Sequence, residues 1–93
     1  MKAVWNGETV AESNDIVTVE GNAYFPVSSV RPGVLVASTH TSVCPWKGTA
    51  QYHSLKVGEA VNQNAVWFYP APKSAVENIK DRVAFWKGVQ ISA

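Results

Sequence analysis

Residues 2–13 have the sequence KAVWNGETVAES, which is typical of a β-hairpin. The Asn6-Gly7 pair separates two short segments, residues 2–5 and residues 8–13. A two-residue type I′ turn needs positive φ angles at both central positions, and Asn followed by Gly adopts them more readily than most pairs. The chain is therefore expected to begin with two antiparallel strands, and a β-rich fold is the first prediction.

Closely spaced Gly and Pro residues divide the rest of the chain into short segments with strand-like patterns. Six Gly and five Pro are spread over 93 residues, a density more typical of sheets than of helix bundles. The segment at 64–70, NAVWFYP, is mostly apolar, as expected of a strand buried on both faces. Further strands are predicted at residues 16–20, 23–26, 34–39, 49–57 and 64–70, with a strand or hairpin at 82–91.

One short helix is predicted near the C-terminus. Ser74 and Glu77 have the spacing of a capping box, and Val76, Ile79 and Val83 recur at helical spacing. The expected fold class is therefore mainly β. It is a small, single-domain antiparallel fold over residues 1–93, tent-like or with two sheets, with about seven strands and this one helix.

Composition restricts the classes of protein to which the chain could belong. Hydrophobic residues make up 46% of the chain and charged residues 16%, so a globular domain is expected. The net charge of +1 offers no basic footprint for nucleic acid or an anionic membrane, and neither partner is predicted. No apolar stretch is long enough for a membrane span or a signal peptide. A single cysteine fits a reducing compartment, so a cytoplasmic location is expected.

The segment THTSVCPWKGTAQYH, residues 39–53, contains the only cysteine and both histidines. Lys47 and the histidines are close in sequence to Cys44, so a reactive thiolate is conceivable, but a small buried thiol is the favoured interpretation. His40, Cys44 and His53 could each bind zinc, yet the spacing H-x3-C-x8-H matches no common structural zinc pattern. No metal and no cofactor are predicted.

Other catalytic templates also fail in this sequence. The PWKG segment lacks the Gly-rich spacing of a phosphate-binding loop, and the residues after Lys47 are predicted to form a strand rather than a helix. The seven acidic residues are scattered singly along the chain, so no two-metal site is indicated. Most of the ten aromatic residues are expected in the core, although some of them could line a pocket.

The run TSVCPWKGTAQY, residues 41–52, resembles the signature T-x-x-C-P-x-K-G-x-A-x-Y of a small family known as a domain of unknown function, sometimes labelled nucleotidyltransferase-like. The similarity extends over nearly the whole chain, including YFP at 24–26 and the tail from residue 67 to residue 88. The resemblance implies a compact β fold of two small sheets meeting at an angle. It also implies that a shared site, if the family has one, involves the signature positions Thr41, Cys44, Pro45, Lys47, Gly48 and Tyr52, with Tyr24 and Tyr69 as neighbours.

The preferred hypothesis is a non-enzymatic module that binds a small molecule near residues 41–52. Lys47 would supply a cationic anchor, Thr41 and Tyr52 hydroxyl groups, and Trp46 an apolar wall, with Cys44 beside them. One alternative is an enzyme that uses Cys44 as its nucleophile or acts on a nucleotide-like substrate. Another is a structural or protein-interaction domain, either a monomer or a homodimer joined through edge strands.

Overall fold

Nine strands form two antiparallel sheets in the computed structural model, which describes all 93 residues, Met1–Ala93. The strands are β1 (Lys2–Trp5), β2 (Glu8–Glu12), β3 (Val17–Val19), β4 (Asn22–Pro26), β5 (Leu35–Cys44), β6 (Gly48–Val57), β7 (Ala60–Phe68), β8 (Arg82–Phe85) and β9 (Gln90–Ser92). The smaller sheet has the order β2-β1-β9, and the larger has the order β3-β4-β8-β7-β6-β5. Two short 3₁₀-helices, Val27–Ser29 and Ser74–Ile79, complete the secondary structure.

The predicted N-terminal hairpin is confirmed. Asn6 and Gly7 have φ angles of 53° and 76°, the pair of positive angles that a type I′ turn requires. Trp5 pairs with Glu8 across the turn, and a β-bulge between Ala3 and Val4 shifts the register further along the hairpin. The local turn chemistry therefore determined this part of the fold.

The mainly β, two-sheet architecture is also confirmed, but nine strands replace the predicted seven. The segment predicted as one strand or hairpin at residues 82–91 contributes β8 to the larger sheet and β9 to the smaller. Between them the chain turns sharply, because Lys87 and Gly88 both have positive φ angles. The strand predicted at residues 34–39 continues to Cys44, because its backbone keeps pairing with β6 up to Gly48.

The predicted C-terminal helix is a 3₁₀-helix, Ser74–Ile79, and the predicted capping box is wrong. Lys73 is the N-cap residue, and no side chain caps the helix. The backbone is kinked at Val76 (φ −134°, ψ 30°), so the helix never completes regular α-helical turns. Val76 and Ile79 are nevertheless buried in one cluster, while Val83 lies in β8 and packs in a different cluster.

The larger sheet has a core on each face because successive strand residues point in opposite directions. One face packs against the smaller sheet, with Phe25 and Leu55 fully buried and Phe25 edge-on to Phe85 at 5.6 Å. The other face packs beneath the segment that contains the second 3₁₀-helix, where Tyr24 and Ile79 are fully buried. This second face carries the candidate site.

The molecule measures about 36 × 29 × 20 Å, with a Cα radius of gyration of 12.4 Å. None of its helices has the length and apolar character needed to cross a bilayer.

Candidate functional site

The turn between β5 and β6 directs Lys47 toward the interior. Cys44 pairs with Gly48 at the end of the hairpin, and the segment around residue 72 packs directly against the turn. The Lys73 amide donates a hydrogen bond to the Lys47 carbonyl oxygen at 2.9 Å, and the Lys73 ammonium donates to the Pro45 carbonyl oxygen at 2.6 Å. Two hydrogen bonds thus attach the turn to the segment that follows β7.

Lys47 is almost completely buried, with 8% of its surface exposed. Its ammonium forms an ion pair with Glu20, in the turn between β3 and β4, and lies 5.3 Å from the Trp46 ring and 5.8 Å from the Tyr69 ring. Burial by itself lowers the pKa of Lys47, but the hydrogen bond to Glu20 and the electrostatic effect of nearby groups raise it above its usual value. The ammonium is therefore charged at neutral pH.

A shallow, open cleft of about 230 Å³ lies beside this ammonium. It is lined by Lys47, Tyr52, Trp67, Tyr69 and Trp86. Tyr52 and Trp67 are directly paired neighbours on β6 and β7, and the Trp67 and Trp86 rings are perpendicular with centroids 6.3 Å apart. The walls are thus aromatic, and the one charged group lies at the end formed by the β5–β6 turn.

Hydroxyl groups add hydrogen-bonding capacity to the cleft. The Tyr52 hydroxyl is hydrogen-bonded to Ser42 at 2.9 Å. The fully buried Tyr24 does not line the cleft, but its hydroxyl accepts a hydrogen bond from the Trp67 indole N–H at 3.0 Å and so holds one of the cleft walls. Tyr69 is only 6% exposed and lines the cleft, and its hydroxyl forms no hydrogen bond within the protein. Burial raises the pKa of Tyr69, although the Lys47 charge opposes the shift. Tyr69 is therefore a neutral O–H donor at physiological pH.

The structure brings two of the five ligand-binding residues predicted from the sequence to the cleft, Lys47 and Tyr52. Thr41 is exposed on β5 opposite Gln51, and Trp46 is 42% exposed. The Cys44 thiol is free and half-buried against the cluster beneath the second 3₁₀-helix. These three side chains do not line the cleft.

Sequence reasoning missed Trp67 and Trp86 as site residues, although Tyr69 was expected nearby. Both tryptophans belong to apolar segments that predict burial equally well. Their place in the cleft depends on the pairing of β7 with β6 and β8, which brings Trp67 beside Tyr52 and Ala84. The Trp86 indole N–H then donates to the Asn64 carbonyl oxygen at 2.6 Å, which orients its ring.

The three side chains considered for a metal are held apart in the fold. The His40 ring packs against Tyr52 with centroids 4.6 Å apart, whereas His53 stacks on Phe68 at 4.7 Å. Neither imidazole is hydrogen-bonded to Cys44, and no group of three or more His, Cys, Asp or Glu side chains is arranged to hold a metal ion.

A second cavity of about 220 Å³ lies where His53 and Phe68 stack. Burial lowers the pKa of His53, with an opposing contribution from a hydrogen bond to the Val36 backbone. Its Nδ1 atom is buried and has no hydrogen-bond partner, and burial favours the neutral imidazole. The cavity is lined by Val27, His53, Phe68, Tyr69, Pro70, Asp81, Arg82 and Val83.

Comparison with known families gives a match over nearly the whole chain. A family model described as "Domain of unknown function (DUF427)" matches residues 1–92. Comparison with curated proteins gives no match. The match confirms the family type that the sequence resemblance indicated and carries no assigned activity.

Proposed function

The chain belongs to the DUF427 family of domains of unknown function, and from its cleft we propose that it is a small-molecule binding module. The observation that carries the proposal is that a buried, charged Lys47 and Tyr69, whose hydroxyl is unpartnered, line the same aromatic cleft. Ligand sites are typically concave, mostly apolar and supplied with a few convergent polar groups. The cleft combines these properties.

The aromatic walls would supply most of the binding free energy. Trp67, Trp86 and Tyr52 present flat apolar surfaces, and aromatic contacts contribute beyond the area that they bury. Trp67 is held by its hydrogen bond to Tyr24, and Trp86 by its hydrogen bond to the Asn64 backbone. Because these rings are positioned before a ligand arrives, little conformational entropy would be lost on binding.

Lys47 would orient the ligand. Its ammonium has three N–H groups, and Glu20 uses one of them, so further donors remain for a ligand acceptor. A hydrogen bond to a charged group contributes about 1.5–3 kcal/mol, which is enough to decide between orientations of a small ligand.

The proposal is tested by titrating the protein with a library of small molecules and following tryptophan fluorescence, since two of the four tryptophans line the cleft. We expect ligands with dissociation constants in the micromolar range. Lys47→Met should weaken their binding about tenfold or more, because about 1.4 kcal/mol corresponds to a factor of ten. Lys56→Met, which removes an exposed ammonium elsewhere on β6, is the matched control and should leave affinity unchanged.

Circular dichroism and thermal unfolding of each variant verify that it is folded. If no library member binds the wild-type protein, or if folded Lys47→Met binds every ligand as tightly as the wild type, the proposed function is wrong.

A further inference from the structure

We infer that the ligand of the cleft is a small planar carboxylate, with its carboxylate on Lys47 and Tyr69 and its flat body against Trp67 and Trp86. This inference rests on the proposed function and specifies the chemical class of the ligand. It follows from the balance of hydrogen-bond donors and acceptors, from the local charge and from the shape of the walls.

Donors outnumber acceptors at the Lys47 end of the cleft. The Lys47 ammonium retains N–H groups after pairing with Glu20, and the Tyr69 O–H is unpartnered. Glu20 is the carboxylate at this end, and it is already paired with Lys47. A ligand with acceptor oxygens would satisfy these donors, and a carboxylate does so with charge-assisted bonds.

The local charge favours an anion over a cation. Clusters of aromatic rings commonly bind cations, but here the Lys47 ammonium already lies 5.8 Å from the Tyr69 ring. A second ammonium, Lys87, lies 5.3 Å from the Trp86 ring and donates to the Gln63 carbonyl oxygen. An organic cation would be repelled by both groups.

A single negative charge fits better than two. Glu20 already neutralises part of the Lys47 charge, and its carboxylate contacts the same ammonium that a ligand would contact. A dianionic phosphate would bring its second charge close to Glu20 without gaining a second buried cation. A monoanionic carboxylate avoids that repulsion.

The walls favour a flat ligand of one or two rings. Trp67 and Trp86 meet at an interplanar angle of 85°, so a planar body can lie along one ring and meet the other edge-on. The cleft volume of about 230 Å³ also suits a small ligand. A cavity of about 150 Å³ accommodates benzene in another protein, so one ring with a carboxylate fits here.

The test compares ligands that share one ring and differ in the attached group: benzoate, benzamide, benzylamine and phenyl phosphate, with 2-naphthoate as a larger carboxylate. Binding is measured by calorimetry and tryptophan fluorescence at pH 7.5 and low salt. We expect the carboxylates to bind at least tenfold more tightly than benzamide and phenyl phosphate, and benzylamine not to bind. Tyr69→Phe should lower the benzoate-to-benzamide affinity ratio about fivefold.

Glu20→Gln supplies a variant with the opposite expected effect. It retains an oxygen acceptor for Lys47 but removes the competing negative charge. Benzoate should therefore bind about threefold more tightly, and the affinity for benzamide should be unchanged. The gain for phenyl phosphate should be larger, because its second charge no longer meets a carboxylate. Lys56→Met is again the control for a charge change outside the cleft.

The outcomes separate this inference from the proposed function. If the library finds ligands but amides, amines or phosphates bind as tightly as carboxylates, the assignment to carboxylates is overturned and the binding module stands. A Glu20→Gln protein that binds benzoate more weakly while remaining folded also overturns the assignment. If nothing binds at all, both proposals fail.

Discussion

Lys47 shows how a charged side chain can be buried in a domain of only 93 residues. Lysines are almost never fully buried unless they are paired, and here Glu20 provides the partner. The Trp46 and Tyr69 rings add electrostatic attraction at the ammonium. Burying a charged side chain costs free energy that an exposed lysine does not cost. Lys47 is therefore a stronger candidate for function than an exposed lysine.

Gly48, the next residue, has no side chain, and this lets the β5–β6 turn lie close to the backbone of residues 71–73. Its φ angle of 117° is rare for residues with a side chain, and an added Cβ would lie 3.2 Å from the Ala71 carbonyl oxygen. Gly48→Ala should lower the free energy of unfolding by about 2–3 kcal/mol through backbone strain and this contact.

The control for this prediction is Gly33→Ala, at a φ angle of 85° where an added Cβ has nothing within 4 Å. It should cost about 1 kcal/mol, from backbone strain alone. Urea unfolding at pH 7 measures both losses. Equal losses would mean that the Ala71 contact does not restrict the turn.

At the scale of elements, the segment after β7 acts as a core element although it contains only a short 3₁₀-helix. It places Val76 and Ile79 against the face that carries Tyr24 and Tyr69, and its Lys73 holds the β5–β6 turn by two hydrogen bonds. Burial of two apolar side chains stabilises the segment more than its few helical hydrogen bonds do.

Ile79→Ala should therefore destabilise the protein by about 2–5 kcal/mol, the usual cost of a cavity at a fully buried site. Val61→Ala removes an apolar side chain that is 58% exposed on β7 and should change stability by less than about 0.5 kcal/mol. Thermal and urea unfolding measure the difference. A loss below about 1 kcal/mol for Ile79→Ala would show that this face is not a core.

At the scale of the whole molecule, titratable groups on the two faces of the larger sheet limit stability at opposite ends of the pH range. His53 has a lowered pKa, so the folded protein binds its proton less readily than the unfolded chain does. Lys47 and Tyr69 have raised pKa values, so the folded protein retains their protons longer. Stability therefore falls at acidic pH, where the unfolded chain binds the His53 proton and the folded protein does not. It also falls at alkaline pH, where the unfolded chain has released protons that the folded protein retains.

We therefore expect stability to be nearly constant between about pH 6.5 and 10. It should fall below pH 6.5, the usual pKa of histidine, as the unfolded chain takes up the His53 proton. It should also fall above pH 10, the usual pKa of tyrosine, as the unfolded chain releases the Tyr69 and then the Lys47 proton. Urea unfolding from pH 5.5 to 11 measures the profile.

Two variants separate the acid and alkaline limits. His53→Phe retains a flat ring against Phe68 and should flatten the profile below pH 6.5. Tyr69→Phe should reduce the loss above pH 10. A His53→Phe profile that falls with pH as steeply as the wild type would rule out His53 as the cause.

Several features could be predicted from the sequence because they depend on neighbouring residues. The Asn6-Gly7 hairpin follows from turn geometry, and the strand predicted at residues 49–57 is β6, shifted by one residue at its start. The concentration of chemically capable side chains near Lys47 was also visible, and two of them line the cleft.

The cleft as a whole depended on contacts between residues far apart in the chain. Glu20 and Lys47 are 27 residues apart, and Tyr24 and Trp67 are 43 residues apart. Tyr24 and Trp67 meet because only β8 separates β4 from β7 in the larger sheet, whereas Glu20 and Lys47 come from turns at opposite edges of that sheet.

The sequence by itself determined the β class, the first hairpin and the residues with chemical potential, because turn angles and side-chain alternation are local properties. Only the tertiary structure decided which side chains face the cleft. Strand order and register are set by the burial of apolar surface on both faces of the larger sheet. The free energy of this burial depends on contacts across the whole chain and cannot be assigned to any one segment.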